Sequence, residues 1–109
     1  MANCCMADIT LMRDDDQPFT DEDVRGIEIA LQELGHCDYG EMGHEDDTLL
    51  EWHGDTRWCL PQAELSKIAS TYHVKIRAIG REDGCAFVQV LCIDEHGSPV
   101  QDKSIEYFY

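Results

Sequence analysis

Two sets of side chains in this 109-residue chain could do chemistry: five histidines with six cysteines, and 23 carboxylates. His36, Cys37, His44 and His53 are types that ligate zinc, and His36-Cys37 with His44 is the tightest group. Zinc sites usually pair their ligands two to four residues apart. Nothing in the spacing demands that these four converge, so a zinc site is permitted and not required. Asp14-Asp15-Asp16 lacks the alternating oxygen ligands and central glycine of a calcium loop. No strand-turn-helix elbow presents a Ser or Cys nucleophile, and no glycine-rich loop is laid out to cradle phosphate. Carboxylates are too numerous for any pair to stand out as acid and base. The chain reads as a binding protein without a cofactor, not an enzyme.

The carboxylates are distributed unevenly. Residues 1–55 hold 16 of them against Arg13 and Arg25, a net of −14. Residues 56–109 hold seven against Arg57, Lys67, Lys75, Arg77, Arg81 and Lys103, a net of −1. Nearly all of the formal charge of −15 thus belongs to one half of the chain. A small domain is soluble with a net charge of magnitude about 2–8, and a larger excess opposes folding through self-repulsion. Such a field repels nucleic acid and anionic membrane and attracts basic surfaces. Affinity for a polyanion comes largely from Lys and Arg displacing counterions. Lys75, Arg77 and Arg81 are read mainly as internal counter-charges to the acidic half, with a small basic patch as the alternative.

Two readings of the acidic half are open. One is a solvated acidic surface; the other is a surface whose carboxylates imitate phosphates, which duplex DNA carries at one per about 1.7 Å of axis. Around the first helix the candidates are Asp14, Asp15, Asp16, Asp21, Glu22, Glu28 and Glu33. The following segment adds Asp38, Glu41, Glu45, Asp46, Asp47, Glu51 and Asp55. Apolar anchors would set residence time once charge had steered the encounter. Ile29 falls opposite the apolar stripe of its helix, and Tyr39, Met42 and Trp52 are the other candidates, each also able simply to pack.

The elements that position these residues follow from pattern. Residues 7–13 alternate as a first strand. Thr20 caps a helix with Asp23 in a capping-box position and Phe19 and Val24 placed as a hydrophobic staple. Val24, Ile27, Leu31 and Leu34 form its stripe and Gly35 closes it. Residues 36–47 read as an exposed loop or an edge strand, 48–53 as a strand and 57–60 as a short extended piece. Pro61 suits the first position of a second helix, with Leu65, Ile68, Ala69 and Tyr72 inward and an end near His73. Three strands follow: 74–79, 85–93 and 100–109, joined by turns at 81–84 and 94–97. The order β-α-β-(β)-α-β-β-β predicts a single α+β domain over 1–109: a two-layer sandwich of ferredoxin-like type, with two helices on an antiparallel sheet.

The second half resembles the ferredoxin-like domain of YubB-type proteins of plasmids and phages. Trp58 and Pro61 open the helix, Leu65 and Tyr72 lie within it, Glu82-Asp83-Gly84 and Phe87 form the hairpin, and Asp94 with Gly97 make the next turn. The start resembles that family's Asn-Trp-Cys opening but reads Asn3-Cys4-Cys5, without the Trp. The resemblance covers about 60 residues and implies a fold and a mobile-element context; it carries no catalytic residues.

No apolar run approaches the ~20 residues that span a bilayer, and residues 1–6 lack a secretion signal. The expected setting is a bacterial cytoplasm with reduced cysteines. Small size, acidity and mobile-element context resemble the anti-CRISPR class of phage proteins. The expectation is therefore an inhibitor that occupies a basic, nucleic-acid-binding surface of a CRISPR effector or similar defence protein. The alternative is an accessory or scaffold domain that self-associates, for example through the edge of the last strand, so that monomer and homodimer are both open.

Overall fold

The computed structural model describes residues 4–14, 16–34, 40–57, 60–82 and 87–106. The elements run β1 (Cys4–Met12), α1 (Asp21–Gln32), β2 (Gly40–Asp46), β3 (Leu49–Arg57), α2 (Gln62–Tyr72), β4 (Lys75–Glu82), β5 (Phe87–Ile93) and β6 (Pro99–Glu106). All six strands join one sheet in the order β2-β3-β1-β4-β5-β6, and every neighbouring pair is antiparallel. The α+β sandwich expected from the sequence is the one observed, compatible with a ferredoxin-like fold. β1 and β2 run parallel with β3 between them, and β3 and β4 run parallel with β1 between them. These are two interlocked split βαβ units, to which β5 and β6 add a further hairpin beyond β4.

Alternation along the strands fixes the two faces. Ala7, Ile9 and Leu11 of β1, Leu50 and Trp52 of β3, Ile76 and Ala78 of β4, and Leu91 and Ile93 of β5 are buried toward the helices. They meet Ile27 and Leu31 of α1 and Leu65, Ile68 and Ala69 of α2 in one core cluster. α1 contacts β2, while α2 contacts β4 and β5, so each helix lies over its own half of the sheet. The helices touch where Gly26 faces the phenol of Tyr72; a Cβ at that position would collide with Oη.

Local signals act as expected at α1. Thr20 Oγ1 accepts from the Asp23 amide at 3.1 Å and Asp23 Oδ2 accepts from the Thr20 amide at 3.2 Å, a reciprocal capping box. At α2, Pro61 occupies the N-cap and not the first helical position. That helix ends at His73, whose φ of 54° is left-handed, and the Val74 amide closes the turn on the Ala69 carbonyl at 3.0 Å. The β5–β6 turn is held by Asp94, whose carboxylate accepts from the amides of Ser98 and His96, each at 2.9 Å. The Ser98 bond foremost holds its carboxyl below the usual range. Gly97 in that turn has φ 86° and lies so close to the Ser66 carbonyl of α2 that any side chain would be both strained and obstructed.

Of the two readings of residues 36–47 the edge strand is the one observed, as β2 at one end of the sheet, and the main difference from expectation is the length of β3. Residues 40–46 are a true strand despite two glycines and three acids, because β3 offers a full antiparallel partner (Glu41 opposite His53, Met42 opposite Trp52). β3 runs through to Arg57, absorbing the start of what reads as a separate extended piece. Gly35 and the turn at 83–84 lie outside the described residues.

Arg13, just past β1, locks these parts together. Its guanidinium donates to Asp23 Oδ2 at 2.8 Å, twice to the Tyr72 carbonyl at the end of α2, and at 3.4 Å to the Pro18 carbonyl. It also stacks on Phe19 with 4.6 Å to the ring centroid.

Candidate functional site

The fold gathers acids that are distant in sequence. Backbone bonds from Arg13 N to the Thr48 carbonyl (2.9 Å) and from Phe19 N to the Asp47 carbonyl (2.7 Å) bring the β1–α1 loop against the β2–β3 turn. Asp14, Asp16, Asp21, Glu22 and Asp47, all exposed, therefore share one corner of the molecule at the start of α1. The N-terminal end of the helix dipole offsets part of their repulsion. Glu28 and the exposed Ile29 continue this surface along α1; Ile29 is 56% exposed, beside Arg25.

The remaining acids stand elsewhere. Glu33 lines a groove of about 410 Å³ between the helices, with Glu64, Lys67 and Tyr72. Glu41 and Glu51 project from the opposite, helix-free face of the sheet, so the candidate carboxylates do not form one continuous surface. Asp55 is corrected outright: it is only 8% exposed, and its Oδ1 has no hydrogen-bond partner among the described residues. Two anchors are corrected as well. Trp52 is fully buried, and Met42 packs against the core opposite it, because both point to the helix side of the sheet. Asp15, Asp38 and Tyr39 lie outside the described residues, as do His36 and Cys37. Glu45, Asp46 and His44 are described only as backbone positions of β2.

Among the described residues no group of three or more His, Cys, Asp or Glu could hold a metal ion. His53 has a different partnership. On the helix-free face its Nδ1 lies 2.6 Å from Asp8 Oδ1 across the β1–β3 pair. The Asp8 bond raises the imidazole above its ordinary pKa of 6.5 against a smaller opposing effect of burial, and Glu51 and Glu41 add to the rise. A raised folded pKa stabilises the fold below the unfolded value, and that contribution fades as pH rises through the folded value. An NMR titration of His53 is expected to show a midpoint above 6.5, which Asp8→Asn brings back down. An unchanged midpoint in that variant would detach His53 from Asp8.

Of the bases the sequence suggests as internal counter-charges, Lys75 and Arg77 pair with no acid among the described residues. Lys75, Arg77, Arg81 and Lys103 are all exposed. Lys103 likewise makes no ion pair among the described residues. A shallow cleft of about 660 Å³ at the end of β1 mixes Arg13, His73 and Lys75 with Asp14 and Glu95, so no single charge dominates it. Among the described residues no helix is long and apolar enough to cross a membrane. Set against known protein families, curated proteins and solved structures, the chain matches none.

Proposed function

We propose that this protein is a non-catalytic inhibitor whose acidic corner and α1 surface occupy a basic, nucleic-acid-binding groove of a bacterial defence complex, such as a CRISPR effector. The observation that carries this reading is the junction of the β1–α1 loop with the β2–β3 turn. Two backbone bonds there bring Asp47 to the loop that carries Asp14 and Asp16 and leads into Asp21 and Glu22, across about thirty positions of chain. Chain folding has overcome their mutual repulsion to bring them there, and a cationic groove would be rewarded on contact. Ile29, exposed on the same helix, supplies the apolar contact that charge alone does not. The resemblance of the second half to YubB-type domains supplies the mobile-element context. Inhibition is steric: the protein holds the place of a sugar-phosphate strand and turns nothing over.

The test is displacement of labelled target DNA from guide-loaded CRISPR effectors at two salt concentrations. Displacement is expected at ~0.1 M salt and is expected to weaken sharply at ~0.5 M, where screening is severe. Asp16→Lys with Asp21→Lys should reduce it by at least about tenfold, with unchanged circular dichroism. No displacement, or displacement indifferent to both salt and charge reversal, overturns the reading.

A further inference from the structure

The helix-free face of the sheet is divided by charge along its middle. Pleat and register place Glu41 of β2, Glu51 of β3 and Asp8 of β1 on one side, where three carboxylates surround His53, the single base there among the described residues. Lys75, Arg77 and Arg81 of β4 and Lys103 of β6 stand on the other. Apolar side chains lie between them: Met6 is 47% exposed, Ile79 41% and Met12 36%, and Val90 is half-buried. Nucleic acid laid on the basic strands would run beside Glu51 and Asp8, so the split disfavours a polyanion. A partner of one charge would meet repulsion over half of the face.

We propose that this face is the interface of a two-fold homodimer. A two-fold axis parallel to the strands, along the line between β1 and β4, turns the acidic half of one copy onto the basic half of the other. The in-plane axis at right angles would set like charge on like. Under the favoured operation β1 of one copy faces β4 of the second, β3 faces β5, and β2 faces β6. Rows are preserved, so Glu41 stands opposite Lys103 of the second copy, and Asp8 falls between Arg77 and Arg81 of the second copy. Aligned sheets pack about 10 Å apart with their inner side chains interdigitated, which buries Met6, Ile79 and Val90. Both α1 surfaces then lie on the outside of a four-layer assembly, far apart, and long-range repulsion between them is screened at ~0.15 M salt. The isologous arrangement is the commonest for homo-oligomers, and it leaves the acidic corner free.

Glu41 and Lys103 lie on opposite edge strands of the same sheet, five strand spacings or about 24 Å apart, so no bond within one chain joins them. Sedimentation of the full chain at ~0.15 M salt is expected to show dimers. Lys103→Glu alone and Glu41→Lys alone should each weaken association by about tenfold or more. The double variant should regain it, and an equimolar mixture of the two single variants should form a heterodimer that neither forms alone. Circular dichroism of each variant reports folding independently. A wild type that stays monomeric at several hundred micromolar overturns the proposal. So do single variants that dimerise unchanged, the outcome expected of pairing through the β6 edge. Failure of the charge swap to rescue overturns it equally. None of these outcomes bears on displacement of nucleic acid by the acidic corner.

Discussion

Replacing Trp52 with alanine is expected to lower the unfolding free energy by about 3–5 kcal/mol, a large share of the 5–15 kcal/mol or so that a domain of this size holds. The side chain is fully buried, paired across β1 with Ile9 and across β2 with Met42, in the core cluster beneath the helices. Its removal leaves a cavity on an interior strand, between β2 and β1. Trp52→Phe separates the contributions. Trp52 Nε1 is buried without an acceptor among the described residues, so phenylalanine loses volume but also removes an unsatisfied donor, which by itself costs about 1–3 kcal/mol. The phenylalanine variant is therefore expected to lie within about 2 kcal/mol of wild type. Urea unfolding followed by far-ultraviolet circular dichroism reads both. An alanine variant as stable as wild type would return Trp52 to the surface and to partner contact.

That residue also shows where sequence reasoning loses its grip. Position 52 lies on a strand flanked by Glu51 and His53, and the alternation there says that Trp52 faces away from both. It does not say which face carries the helices. That is settled only by the register of β3 against β1, where Trp52 meets Ile9. Asp55 failed as a candidate for the converse reason: it belongs to the open face by alternation, yet it is buried there. Features encoded within a few residues were legible, namely the Thr20–Asp23 capping box, the inward stripe of α1 and the Asp94–Gly97 turn. The strand β2 was legible only as one of two alternatives, loop or edge strand, because its stability comes from a partner and not from its own composition. The acidic corner required contacts no local pattern contains: the loop at 14–19 meets the turn at 47–48 through two backbone bonds between segments some thirty residues apart. The exposure of Lys75, Arg77 and Lys103 was readable in part, since alternate positions of β4 share a face. Their separation from Glu41 and Glu51 depended on strand order, with β4 and β6 lying beyond β1.

Arg13→Ala is expected to destabilise the fold by about 3 kcal/mol, since charged hydrogen bonds contribute roughly 1.5–3 kcal/mol and breaking a largely desolvated pair can cost more. The Arg13 side chain is only 12% exposed and that of Asp23 26%, so water does not readily replace the lost bonds. The guanidinium spans Asp23 in the first turn of α1 and the Tyr72 carbonyl at the end of α2, while stacking on Phe19. Arg13→Lys should recover little, because a single compact ammonium nitrogen cannot span the acceptors that Nη1 and the Nε/Nη2 edge of the guanidinium reach separately. The pH dependence identifies which bond matters. Burial raises the Asp23 carboxyl, but the Thr20 amide and hydroxyl and the Arg13 guanidinium together outweigh it, leaving its pKa below 3.8. A depressed folded pKa gives stability that is present above the unfolded value and lost as pH falls through the folded one. The stability gap between wild type and Arg13→Ala should therefore narrow as pH falls from about 5 to about 2. It should not vanish, because the bonds to the Tyr72 and Pro18 carbonyls do not titrate. A gap constant across that range would assign the whole effect to those carbonyls and to Phe19, making Asp23 a helix cap and nothing more.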